Sequence, residues 1–516
     1  MTKTSYLYDI NGAYYEGDET RHYFASSGSE AEFLDRLKRA NGSFSVQIKL
    51  GETIFAAVDR YRSTPLFYRP EDPQKRIAST ARELGRLSQD ILKQAPSLAL
   101  AEYLATGYTT EDSTLHPAIK QIPAGHYLCW EAAKPPRIVE YYSFRPDSTL
   151  ADDPDILCEQ LDDIHNQLAR RLIRSLDGRT VLLPLSGGWD SRLIAHILKR
   201  QGYEKLICFS YGSPGNPESL LSQRAAQELG YRWIFIPHNR RLWYRSYHSP
   251  ERNDYFAQSF NYCSCPHTQD WLAVKYLKDK GLIPEDSVFV PGHAADFLEG
   301  SHLSPALPEL DTISPAYLVN SLIKRHYSLW NWQDGGYRAL FTDHLLSEIN
   351  PPATMNPALA AGILESWDLR ERLGKFIFNS LRVYEYYGYQ WRLPLMDTAL
   401  MDFWEAVPLH LRVNRKLWHD YAVRYLPTNV EIFSKPGLSD RLTSRILKSF
   451  IGDLTDIRYG RFLDPSNPLD TIKAKVSSLL LKGVNYPDFV DPEASIQMCN
   501  LNALQSVLAL KEALED

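Results

Sequence analysis

The chain is predicted to be an α/β protein: an N-terminal antiparallel, β-rich region is followed by a parallel-sheet region whose C-terminal part is helical. Three observations predict it. Short strand-like runs occupy the chain up to about Tyr142, strands and helices then alternate, and beyond residue 300 the pattern is mostly helical.

In the first region FSVQIKL (44–50), TIFAAVD (53–59), PLFYR (65–69) and GHYLCW (125–130) read as strands, most of them divided by Gly or Pro turns. The segment AAKPPRIVEYYSFRPDSTLADDP then mixes proline with charge. It sets a boundary near residue 150 and gives two expected domains, 1–150 and 151–516. An amphipathic helix over 155–175 follows, carrying Ile156, Leu157, Leu161, Ile164, Leu168 and Leu172. Next come a strand at 181–185, a helix from Arg192, a strand at 205–210, a helix over 219–229 and a strand at 233–237. Strand, helix, strand in this order argues a parallel sheet with right-handed crossovers. Pro184 would break a central ladder, so a bulge is expected near that strand's end. Pro305, Pro308, Pro351 and Pro352 mark breaks in the helical part.

The 516 residues are 44% hydrophobic and 23% charged, which fits a soluble globular protein of two or three domains. A net charge of −6 without single-sign blocks argues against a nucleic-acid groove or a polybasic membrane patch. No window approaches the ~18 apolar residues of a membrane span. MTKTSYLYDINGAYYEG lacks the charged-then-apolar order of a secretory signal, so the cytoplasm is the expected compartment. Six scattered cysteines fit a reducing compartment; Cys263, Cys265 and His267 cluster without the second ligand pair of a zinc site. Small molecules or peptides are the expected partners, and a homo-oligomer is compatible with this.

The most informative stretch is VLLPLSGGWDSRLIAHIL (181–198), a buried-type strand that turns into a helix through Leu185, Ser186, Gly187, Gly188, Trp189, Asp190 and Ser191. Small residues at the carboxyl end of a parallel strand let backbone N–H groups converge on an anion, and the following helix N-terminus favours negative charge. The hydroxyls of Ser186 and Ser191 add donors. Asp190 would repel phosphates unless Mg²⁺ lies between, a cation that prefers hard oxygen ligands. For an isolated G-G-x-D, a glycine connection with Asp190 as a helix cap would suffice.

Six consecutive positions, S-G-G-W-D-S, resemble the pyrophosphate loop of the N-type ATP pyrophosphatases, which implies cleavage of ATP to AMP and pyrophosphate. LICFSYGSPGNPES (206–219) resembles the F-S-x-G stretch of asparagine synthetases, which implies that Phe209, Ser210 and Tyr211 border the adenine. SVFVPGHAADFLEG (287–300) is similar to the motif S-G-x-G-A-D-E of that family. Pro291 and Gly292 would then border the nucleotide, and Asp296 would partner Asp190 on magnesium.

His293 stands where asparagine synthetases have Glu and β-lactam synthetases Tyr, as it does in lasso-peptide cyclases, which implies an imidazole base for the incoming amine. Phe297 replaces an acidic residue, and Gln390 in QWRLPLMD (390–397) replaces the glutamate of E-x-R-x-P-F-L-D. VNRKLWHDYAVRYLP (413–427) resembles the segment that supplies a lysine to the pyrophosphate; Lys416 is the expected residue and Arg415 the alternative. Lys435 in IFSKPG matches a following R-x-K-x-G-F lysine.

AAVDRYRSTPLFYR (56–69) and LATGYTTEDSTLHPAIKQIPAGHYL (104–128) resemble parts of the glutaminase half of asparagine synthetases, implying an Ntn-hydrolase-like αββα first domain. The resemblance spans roughly residues 1–440, firm in the loops and faint between. Glutamine hydrolysis in that class needs a cysteine directly after Met. Residue 2 is Thr, and no cysteine precedes Cys129, so the domain is expected to lack glutaminase activity. The resulting expectation is an AMP-forming amide ligase using ATP and Mg²⁺. Ammonia-dependent asparagine formation and a non-catalytic nucleotide-binding scaffold are the alternatives.

Overall fold

The computed structural model describes residues 5–94, 97–238, 242, 245–246, 249–329, 336–426, 505–506, 509–510 and 512–514. Lys435, singled out above, lies outside them.

The N-terminal region is built from short antiparallel strands. β1 (Tyr6–Tyr8) lies between β2 (Tyr14–Glu16) and β3 (Asn41–Ser43). A second sheet has the order β10-β9-β5-β4, with β4 (Ser45–Leu50), β5 (Thr53–Val58), β9 (His126–Trp130) and β10 (Arg137–Glu140). A small third sheet places β6 (Phe67–Tyr68) between β7 (Ile77–Ala78) and β8 (Lys120–Gln121). The period of two explains the layering. Phe55 and Ala57 face the helices Asp18–Ala25 and Glu30–Arg39 and pack with Phe24, Phe33 and Leu37, whereas Ala56 and Val58 pack on Leu66, Tyr68 and Ile122.

The second sheet type is wholly parallel, in the order β13-β12-β11-β14-β15. Its strands are β11 (Val181–Pro184), β12 (Leu206–Gly212), β13 (Arg232–Pro237), β14 (Val288–Phe289) and β15 (Gln390–Trp391). The long helix Pro154–Leu176 leads into it, started by Asp153, whose carboxylate accepts from Asp155 N at 3.0 Å and Ile156 N at 3.3 Å. β11 can be apolar throughout because it is covered on both faces; Val181, Leu182 and Leu183 are all buried. β15 is an addition to the sequence reading. Two residues are too few for periodicity to reveal, and Trp391, fully buried, holds the strand in place.

Chain order makes β11 and β14 the place where the sheet reverses its growth, and ligands of open α/β sheets bind in the crevice beyond such a point. Pro184 does not form the expected bulge. It ends β11, paired with Phe209, and the last β11–β14 rung is Val290 N–H to Leu182 O at 2.9 Å. The next rung would need an N–H from Pro184. Likewise the next β14–β15 rung after Arg392 N–H to Phe289 O (2.8 Å) would need one from Pro291. Both ladders therefore stop at the carboxyl edge, where the strands are free to part.

The helical part comprises Pro315–His326, Tyr337–Ile349, Pro357–Trp367, a π-helix at Asp368–Ile377, Arg382–Tyr386, Thr398–Ala406 and Lys416–Tyr425, with shorter turns between. Among the described residues no helix is long and apolar enough to cross a membrane. The two regions are joined by buried polar pairs. Asn41 donates at 3.0 Å to Asp397, a carboxylate that Arg171 of the second region also holds with two bonds at 2.8 Å, and Arg62 reaches Gly374 O at 3.2 Å.

Candidate functional site

Two glycine turns face each other across the β11/β14 crevice. In the first, Ser191 Oγ accepts from Ser186 N at 3.1 Å, Ser186 Oγ accepts from Gly188 N at 3.0 Å, and the two hydroxyls lie 3.2 Å apart. These bonds curl the backbone so that the helix Trp189–Arg200 begins directly over the strand end. Arg192 braces the turn by donating to Gly188 O at 2.9 Å and stacking over Trp189 at 4.6 Å. The second turn is pressed against it. A Cβ on Gly292 would stand 2.7 Å from Ser191 N, closer than any side chain allows, so only glycine permits this approach. Ala294 then takes a left-handed conformation, φ 68°, which starts the short helix Ala295–Leu298 bearing Asp296.

The approach brings three acids together. Asp190 accepts from the backbone of Asp296, and Arg415 donates to Asp190 at 3.2 Å while pairing with Glu299. Burial drives Asp190 up to about 6, against the pull of Arg415 and with the help of Asp296. Burial likewise pushes Glu299 well above the usual carboxylate range. Asp296 behaves oppositely: although burial raises it, His302 and Arg415 hold it at about 2. His302 stands with Nε2 3.6 Å from Asp296 and Nδ1 2.5 Å from the buried Asp368, itself paired with Arg325 at 3.1 Å. Those two carboxylates raise the imidazole above its ordinary value against its burial.

Among the described residues no group of three or more His, Cys, Asp or Glu side chains is placed to hold a metal ion. Two facing aspartates nevertheless suit Mg²⁺, which commonly takes one or two carboxylates and completes its shell with phosphate oxygens and water. A nucleotide is also compatible with the cradle. Ser210 Oγ, at the carboxyl end of β12, is buried without a hydrogen-bond partner, and a ligand donor or acceptor would satisfy it.

The remaining predicted residues are distributed unevenly. Leu185 is buried and its N–H binds Phe209 O at 2.9 Å; Phe209 packs edge-on against Phe289, so its ring belongs to the core. Tyr211 donates to Asp270 at 2.5 Å. Pro291 closes β14 beside Gly292, and His293 Nε2 lies 2.9 Å from Ser380 Oγ, its basicity lowered by burial. Arg415, held left-handed at φ 59° after Asn414 with the same φ, points at the acids. Lys416 is exposed at the start of its helix.

The two departures noted above have structural partners: Phe297 is fully buried against Phe144 at 5.2 Å, and Gln390 accepts from Arg179 at 2.6 Å. Glu299, His302, Asp368, Ser380 and Asp270 were missed. Only Glu299 carried a signal, three residues after Asp296 on one helical face.

Residues 24–142 match the family model described as a glutamine amidotransferase domain, and residues 165–244 match that described as asparagine synthase. No curated protein matches the chain. The asparagine synthase match covers the strand, the S-G-G-W-D-S turn and the second strand; the other covers most of the antiparallel region.

Proposed function

We propose that this chain, asparagine synthetase-like with a glutamine amidotransferase-like N-terminal domain, is an AMP-forming amide ligase. The asparagine synthase match supports the general class, an ATP-dependent carbon–nitrogen ligase. The finer reading rests on one observation: Asp190 and Asp296, from separate turns, converge at the sheet's switch point with Arg415 beside them and His293 on the same turn as Asp296. A substrate carboxylate oxygen attacks the α-phosphorus of ATP, the bond to the β-phosphate oxygen breaks, and pyrophosphate leaves. An amine nitrogen then attacks the acyl carbon, the carbon–oxygen bond to AMP breaks, and an amide forms with loss of the amine's protons.

Each residue has a definite task. Ser186, Gly187, Gly188 and Ser191 hold the β- and γ-phosphates through backbone and hydroxyl donors. Asp190 and Asp296 would hold Mg²⁺, which supplies charge neutralisation on the phosphates. Arg415 stabilises charge on the leaving pyrophosphate, with Lys416 and Lys435 as further cations for the same segment. His293, kept neutral by burial, accepts the amine proton; in the tautomer that donates Nε2–H to Ser380, Nδ1 holds the lone pair for it. Ser210, Tyr211, Pro291 and Gly292 border the nucleotide, with the buried Leu185 and Phe209 supporting them from the core. The first domain acts as a structural partner without glutaminase activity, so nitrogen comes from an amine or free ammonia.

Substrate-dependent ATP–pyrophosphate exchange, screened over carboxylates, tests the reading. Exchange with at least one acid is expected; binding of ATP with exchange for none would favour a nucleotide-binding scaffold. Exchange only with aspartate, and product only with ammonia, would identify ammonia-dependent asparagine formation. His293→Ala is expected to lose amide formation while retaining exchange. Equal loss of both would remove His293 from the amine step.

A further inference from the structure

Resting on the ligase reading above, we propose that Asp270 forms an anionic subsite that takes the acceptor as a cation, a protonated amine, beside His293. Asp270 is buried immediately before the helix Trp271–Asp279. Each of its carboxylate oxygens accepts one tyrosine hydroxyl, Oδ1 from Tyr211 at 2.5 Å and Oδ2 from Tyr384 at 2.6 Å. Both donors are neutral: burial and the carboxylate itself keep the two phenols well above their ordinary values. A carboxylate offers about four lone-pair directions, so about half remain for a further donor.

No arginine or lysine among the described residues pairs with Asp270. Arg382 pairs instead with Glu385 at 3.0 Å and donates to Ser63 O at 2.8 Å. A buried charge without a counter-charge is costly, and an arriving cation relieves that cost.

Position supplies the rest. Tyr211 directly follows the unpartnered Ser210 at the carboxyl end of β12. Tyr384 stacks on Phe289 of β14 at 4.4 Å and lies one helical turn beyond Ser380, the partner of His293. Asp270 and Asp296 are the two carboxylates that act on His293. The Ser380–Tyr384 segment thus links the carboxylate that would hold an ammonium group to the imidazole that would take its proton. The tyrosine bonds orient the carboxylate in advance, which is what makes such a subsite selective.

The experiment uses full-length protein charged with ATP and a carboxylate that supports exchange. Discharge of the activated acid is followed with two probes, ethylamine, a cation at neutral pH, and hydroxylamine, which is uncharged there. In Asp270→Asn the ethylamine-to-hydroxylamine rate ratio is expected to fall by about tenfold or more, the order expected when a charged partner is lost. Asp270→Glu, which restores the charge, is expected to recover most of the ratio. If the asparagine variant does not fold, Asp270→Ser provides the same comparison. An unchanged ratio, equal loss for both probes, or no discharge of wild-type by ethylamine would each overturn the subsite. Absence of exchange in wild-type protein with every acid would instead overturn the ligase reading beneath it.

Discussion

The pair Arg415–Lys416 illustrates what a single residue's environment decides. Adjacent cations in the same motif are equivalent in sequence, but two consecutive left-handed residues, Asn414 and Arg415, turn the first toward Asp190 and Glu299 and leave the second in solvent. Arg415 is 12% exposed and compensates the buried Glu299 and the half-buried Asp190, so Arg415→Met should cost about 3 kcal/mol of stability, the range for breaking a buried pair. Chemical denaturation in the absence of nucleotide would measure it. Asp190→Asn should behave oppositely. Burial already disfavours its charge, so the variant is expected to be at least as stable as wild type while losing about 100-fold or more in exchange. A stability loss comparable to that of Arg415→Met would contradict the charge balance described here.

Elements explain why the crevice opens where it does. Pro184 and Pro291 were visible in the sequence, yet their effect depends on which neighbour each missing N–H would have met, and that is set by register. Gly292 shows the same dependence. Gly292→Ala places a methyl group 2.7 Å from Ser191 N, and overpacking of this kind should cost about 1–3 kcal/mol and reduce exchange. A melting temperature equal to wild type would mean that the two turns separate freely.

The helix Lys416–Tyr425 packs on Pro154–Leu176 around His165, whose ring lies 4.9 Å from Tyr421 and 6.3 Å from Trp418. Burial lowers this imidazole to about 3, so the folded state needs it neutral. The unfolded chain binds the proton first, and stability is lost as pH falls from about 6.5 toward 3, by at most ~1.4 kcal/mol per pH unit. His165→Phe should flatten that limb relative to wild type in unfolding measured across this range. Parallel curves would remove His165 as a source of acid sensitivity.

At the scale of the molecule, the antiparallel region is bonded into the body of the parallel-sheet region. Arg392, fully buried, donates to Tyr14 and Glu16 at 3.0 Å, and Arg60 pairs with Asp402 at 2.6 Å. With Asn41–Asp397 these bonds tie the antiparallel region to the segment after β15. A protein starting at residue 151 would expose the apolar surface now covered by Tyr6, Tyr8 and Phe144 and leave Arg392 partly unpaired. It is expected to aggregate on expression, whereas wild-type protein does not; a monodisperse, cooperatively melting fragment would refute this. By itself the sequence determined the parallel-sheet class and the S-G-G-W-D-S turn, because periodicity and glycine placement are local properties, whereas the pairing of that turn with the Gly292–Asp296 loop was implied only by the resemblance to asparagine synthetases. Only the tertiary structure decided that Arg415 meets the acids, that Glu299 and His302 belong with them, and that Asp270 is held by Tyr211 and Tyr384. Those choices depend on burial and on groups distant along the chain, and the local pattern of residues carries neither.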